Sequence, residues 1–231
     1  MGPENDRCQA ATGGRYEMFM YAVGLSESGD LLPGSLGANV MQAAADGKIS
    51  KEQTPALLID YLVPALDTTI SAIGNAIWLL GRNPDQYALL REDPSLIPNA
   101  LNEALRLESP IRGFTRVATR DVTMDGVTIA AGDRVLLLWA SANRDERQFP
   151  DPERFDVRRA NANSHVAFGF GVHGCAGQGL ARLEGHALLS AFVREVPSYT
   201  VGDATPMMNN TIRALASLPV TVPDSASVAG A

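Results

Sequence analysis

Residues 168–177 read Phe168-Gly169-Phe170-Gly171-Val172-His173-Gly174-Cys175-Ala176-Gly177. Three glycines precede one cysteine and a fourth follows it. Glycine opens backbone angles closed to other residues and lets a flat ligand approach the main chain. A helix is predicted after Cys175, through about Arg194, with its N-terminus aimed at the sulfur. Free N–H groups and the positive dipole end at that position favour thiolate over thiol. An aromatic residue upstream, Phe168, can shield the sulfur from water. Three readings compete. A buried structural cysteine is the plain default, but it leaves the glycines unexplained. A nucleophile could take His165, His173 or His186 as its base. A zinc centre is poorly served by three histidines and two distant cysteines, Cys8 and Cys175.

Upstream of this loop the chain reads mostly as helix. Residues 1–30 are rich in Gly, Asn, Ser and Asp, with one short helix over 16–25. A helix is expected over 36–45, stopped at Gly47. Ser50 and Gln53 have capping-box spacing, and Thr54-Pro55 gives a second start signal. A long apolar helix then runs over 54–80. Pro64 inside it lacks an N–H for the Asp60 carbonyl and predicts a kink. Shorter helices follow over 84–92 and 99–107. The pattern changes over 116–138. Val122-Thr123-Met124 and Val127-Thr128-Ile129 flank Asp125-Gly126, a hairpin signal, and 135–139 reads as a strand. Residues 199–222 are expected to be strand and turn, and 223–231 a frayed tail. The fold class is therefore mainly α with small antiparallel β-sheets.

Composition narrows the function classes. The 231 residues are 45% hydrophobic and 19% charged, enough for a sizeable core. The net charge of −7 argues against nucleic-acid binding, which needs clustered cations to displace phosphate counterions. All basic residues but Lys48 and Lys51 are arginines, which suit fixed pairing with carboxylates. No stretch reads as about 18 consecutive apolar residues, and the start lacks a signal-peptide pattern. The sequence-level expectation is a soluble, cytoplasmic protein without membrane partners.

The pattern Phe168-x-x-Gly171-x-x-x-Cys175-x-Gly177, followed by Leu180-Ala181-Arg182, resembles the haem-binding signature of the cytochrome P-450 family, the haem-thiolate monooxygenases. The resemblance implies that Cys175 is the axial ligand of haem b, iron protoporphyrin IX. It places Phe168, Gly169, His173, Ala176 and Gly177 against that cofactor. A thiolate ligand pushes electron density to the iron and favours O–O cleavage. Glu103-Ala104-Leu105-Arg106 resembles the family's Glu-x-x-Arg motif, and Pro152-Glu153-Arg154-Phe155 supplies a matching third arginine, Arg154. Asn143-Arg144-Asp145 also matches, with a structural role. The resemblance further implies that Arg116 and His173 bind haem propionates. On the long helix it implies that Asp67 and Thr68 deliver protons to dioxygen. The chain departs from the family where Pro64-Ala65 stands in place of small residues, one turn before Thr68.

The implied activity is insertion of one oxygen atom from dioxygen into a small hydrophobic or aromatic substrate. The chain shows no flavin or nicotinamide fingerprint, so its electrons are expected from a ferredoxin-type partner with its reductase. Arg158 and Arg159 are candidate docking residues, against a solvated face as the plainer reading. The resemblance spans 31–222, whereas family members are longer, so an N-terminal truncation is expected. Two other readings stay open: a non-catalytic haem-binding remnant, and a peroxide-driven enzyme on the same thiolate.

Overall fold

The computed structural model describes residues 6–223. Two compact units divide at Asp67–Thr68, inside one long helix. In the first, helix α1 spans Asp6–Ser28 and helix α2 spans Leu36–Ala45. Helix α3 spans Thr54–Arg82 and so belongs to both units. The small core of the first unit is Ala22, Val40 and Leu58, with Leu25, Ile49, Leu57 and Ile59 against it. The Ser35 Oγ accepts the Ala38 N–H at 3.1 Å and caps α2. At the approach to α3, the Ser50 N–H donates to Gln53 Oε1 at 2.9 Å, one arm of the expected capping box.

Helix α1 is longer than the 16–25 segment expected. Gly13 and Gly14 lie inside it. A helical glycine costs only about 1 kcal/mol, and Ala10, Ala11, Arg15, Glu17 and Met18 around the pair are good helix formers. Helix α3 runs through Pro64, in keeping with the span expected over 54–80. By length and composition alone, residues Lys51–Arg82 could cross a membrane, with a mean hydropathy of 1.5 over their most apolar window. That qualifies the expectation from consecutive apolar residues. In the second unit, however, α3 inserts Ala76, Leu79 and Leu80 into a core and buries Ser71 and Asn75 beside them.

The second unit holds the larger core. Helix α4 (Pro84–Glu92), helix α5 (Ile97–Leu107) and helix α7 (Gln178–Glu195) pack around Leu80, Tyr87, Leu90, Leu101, Leu105, Val157, Leu189 and Val193. The crossing of α5 and α7 is tight. A Cβ built on Gly185 would stand 2.6 Å from Leu101 Cδ2. Gly185→Ala is therefore expected to destabilise the chain by about 1–3 kcal/mol, read as a lowered urea midpoint.

Four two-stranded antiparallel sheets complete the unit. Strand β1 (Phe114–Val117) pairs with β4 (Arg134–Leu137), and β2 (Val122–Met124) with β3 (Val127–Ile129). The β2–β3 turn uses Asp125 and Gly126 at φ 50° and 78°, the left-handed pair that a two-residue hairpin demands. Strands β5 (Thr200–Val201) and β8 (Val220–Thr221) pair, as do β6 (Thr205–Pro206) and β7 (Leu215–Ser217). The architecture is mainly α with small antiparallel sheets.

The strand expected over 135–139 stops at Leu137. Trp139 instead opens the short helix α6 (Trp139–Ala142). The Ala140 N–H donates to the Arg112 carbonyl at 3.1 Å, and the turn delivers Asn143 fully buried into the core.

Candidate functional site

The cysteine loop is shaped by its own backbone. Gly169 and Gly171 sit at φ 70° and 73°, angles that a side chain would strain. The Gly169 N–H bonds the Val166 carbonyl and the Gly174 N–H bonds the Gly171 carbonyl, both at 2.9 Å. The Cys175 N–H then donates to the Phe168 carbonyl at 2.8 Å and closes the loop. Gly177 caps α7, and a Cβ there would lie 3.9 Å from Cys175 Sγ. Cys175 carries a free, exposed thiol. His173 and Ala176 are exposed beside it. Phe170 and Val172 are 84% and 98% exposed, so the loop presents an apolar surface outward. Phe168 turns the other way and packs against the main core.

No histidine is hydrogen-bonded to the thiol among the described residues. His165 is buried; its Nδ1 accepts the Ala167 N–H at 3.1 Å. Its Nε2 has no partner. Burial, then the charges of Arg182 and Arg106, push the His165 imidazole down to about 4. His186 on α7 is also lowered, first by burial and then by Arg182. The Cys8 side chain lies outside the described ones.

Behind the loop lies a buried ion network. Glu103 and Arg106 are both fully buried on α5. Arg106 donates Nε to Glu103 Oε2 at 2.7 Å and Nη2 to Oε1 at 2.9 Å. Its Nη1 reaches the Asn143 and Pro152 carbonyls, both at 2.8 Å. The third arginine is Arg159, not Arg154. Arg159 Nε donates to Glu103 Oε1 at 2.8 Å, and its Nη2 reaches the Asp151 and Arg154 carbonyls at 3.0 and 2.9 Å. Arg154 offers only that carbonyl, and its side chain is exposed. Along this turn segment burial alternates: Phe155, Val157 and Arg159 are buried, while Arg154 and Arg158 are exposed. Arg159 is therefore removed from the docking candidates, and Arg158 alone remains exposed.

Asn143 ties the network to the loop. Its Nδ2 donates to Ser109 Oγ and its Oδ1 accepts the Val166 N–H, both at 2.7 Å. In a second ion cluster only Arg144 belongs to a stretch singled out in the sequence, Asn143-Arg144-Asp145. Buried Glu108 accepts from Arg144 Nη2 at 3.3 Å and from Arg213 Nε and Nη2. Asn75 of α3 donates to both the Glu108 and Arg213 carbonyls, at 3.3 and 3.2 Å. Its signal was a buried-type polar residue inside an apolar helix.

The remaining candidates are half-buried on separate elements. Arg116 sits on β1, donating Nη1 to the Thr115 carbonyl at 3.0 Å. Asp67 and Thr68 adjoin on α3, on either side of the division between the units.

The loop presents a cysteine thiol on an apolar surface, and Asn143 links it to the buried Glu103–Arg106–Arg159 network. The family model for cytochrome P450 matches residues 30–219, and the chain belongs to that family. The family binds haem. The chain is 42% identical over 220 residues to cytochrome P450 CYP199A2 of Rhodopseudomonas palustris, covering 95% of this chain and 53% of that protein. It is 41% identical to the 6-deoxyerythronolide B hydroxylase of Saccharopolyspora erythraea over 68% of this chain and 39% of that one. Among solved structures, the tirandamycin C-bound P450 monooxygenase TamI superposes with a TM-score of 0.84 at 36% identity. That match covers 90% of this chain and 54% of TamI. The chain spans about half the length of these relatives.

Proposed function

We propose that this chain carries the haem-thiolate centre of a monooxygenase, with Cys175 as the axial ligand of iron protoporphyrin IX. The observation that carries this reading is the exposed Cys175 thiol, held by the Phe168 carbonyl within a loop whose outer face is apolar. The residues fit a haem. Burying a porphyrin face removes apolar surface such as Phe170 and Val172 from water. Gly169 and Gly177 leave the main chain open to a flat macrocycle, Ala176 is exposed beside the sulfur, and Phe168 holds the loop through its carbonyl, with its ring packed on the core. Two propionates need cationic or N–H donors, which Arg116 and His173 supply.

When bound, haem supplies the activation of dioxygen and the insertion of one oxygen atom into a small hydrophobic or aromatic substrate. The chain's own residues would order that chemistry. The dipole of α7, whose N-terminus follows Cys175 closely, favours the anionic sulfur. Thr68 and Asp67 would pass protons, because a hydroxyl donates and accepts while a carboxylate accepts and returns them. Electrons would come from a ferredoxin-type partner with its reductase, in the cytoplasm.

The ferrous–CO spectrum of the haem-loaded chain tests the assignment. A red-shifted Soret band of thiolate ligation is expected, and Cys175→Ala should abolish it. A spectrum indifferent to that substitution would falsify the ligand assignment.

A further inference from the structure

Two side chains grip the ring of Phe168. The Arg182 guanidinium carbon lies 4.5 Å from its centroid. The His165 imidazole lies 5.7 Å from it, tilted at 46°. The Phe168 carbonyl is the acceptor of the Cys175 N–H, so whatever fixes Phe168 fixes the residue that carries the sulfur. Arg182 projects from α7, and its Nη1 donates to Gln178 Oε1 at 3.0 Å. Among the described residues it pairs with no carboxylate, unlike Arg106, Arg144, Arg159 and Arg213. Among the described residues no carboxylate offsets this half-buried guanidinium, whose partners are a neutral amide and an aromatic face.

We propose that Arg182 is a positioning residue for Cys175: it pins Phe168 by cation–π contact, and its unpaired charge favours the reduced state of an iron–thiolate centre. The inference rests on the haem-thiolate reading above. One-electron reduction makes such a centre more negative by one charge, so a nearby cation lowers the energy of the reduced form. His165 completes the grip as a neutral, apolar-packed ring, since a second cation there would crowd Arg182.

The test is a redox titration of the haem-loaded chain, together with the lifetime of the thiolate band in its ferrous–CO complex. Arg182→Met keeps an apolar stem and removes the charge. It is expected to lower the ferrous-to-ferric ratio at fixed potential about tenfold, which is about 59 mV for one electron. It should also speed conversion of the CO complex to its thiol-ligated form severalfold. Arg182→Lys keeps the charge but not the planar stack. Its ratio should stay within about threefold of the parent, with the faster conversion retained. Arg182→Gln guards against a folding defect in the Met variant and must shift the ratio in the same direction. The proposal is overturned if Arg182→Met matches the parent in both readouts, or if Arg182→Lys moves the ratio as far as Arg182→Met. A parent chain without a Cys175-dependent thiolate band would instead overturn the underlying haem assignment and take this inference with it.

Discussion

Glu103→Gln is expected to destabilise the second unit by about 3–5 kcal/mol, the usual cost of stripping one partner from a buried ion pair. The substitution preserves shape, so no cavity opens. It removes the one carboxylate that faces Arg106 and Arg159 together. Both guanidiniums would keep their carbonyl acceptors, Asn143 and Pro152 for Arg106, Asp151 and Arg154 for Arg159. The amide nitrogen of Gln cannot accept, so at least one guanidinium N–H loses its partner, and the compensation of two buried charges is lost with it. At about 2–4 °C per kcal/mol for a chain of this size, the melting temperature should fall by roughly 10 °C. The exposed pair Asp145–Arg147 makes the contrast. Its contact is 2.6 Å, and its hydrogen bonds to Arg147 hold the Asp145 carboxyl down at about 2. Yet Arg147 is 87% exposed, and water screens the pair. Asp145→Asn should leave the melting temperature unchanged within a degree. Equal shifts for the two variants would show that burial does not set the worth of the Glu103 network.

The same distinction explains which features were legible in the sequence. Features decided within a few residues could be read directly: the Asp125-Gly126 turn, the Ser50–Gln53 spacing and the glycine pattern around Cys175. Each depends on backbone angles or on one side chain reaching a near neighbour. The partners of Glu103 depend on a chain that returns 56 residues later, and the motif carried the choice only to a neighbouring arginine. The alternation of Phe155, Val157 and Arg159 held the missing information, because it placed Arg159 on the inward side. Glu108 and Arg213 are 105 residues apart, and nothing local marks either as a partner. The extent of α1 exceeds the expected segment, because the good helix formers around Gly13-Gly14 carry the helix back to Asp6. The roles proposed for Arg116, Asp67 and Thr68 are of the non-local kind too. Their side chains sit on β1 and α3, and their chemistry depends on what they face.

A second large effect is expected from pH. In the unfolded chain His165 titrates near its ordinary value of 6.5, whereas the folded chain holds it down at about 4. Burial is the main cause, and the Arg182 and Arg106 charges add to it. Protonation therefore favours the unfolded state. The stability due to neutral His165 is complete above about pH 6.5 and is lost progressively as the pH falls toward 4. At about 1.4 kcal/mol per unit, the full loss is about 3 kcal/mol, with about 2 kcal/mol gone by pH 5. His186 is lowered as well and acts in the same direction. Carboxylates titrate mainly below this range, so the interval from pH 6.5 to 5 isolates the histidines. His165→Phe keeps an aromatic ring against Phe168 but has nothing to titrate. Urea midpoints measured at pH 7 and pH 5 should fall steeply for the parent chain and only shallowly for His165→Phe. A variant that kept the full slope would mean that His165 is not the buried neutral ring behind the cysteine loop.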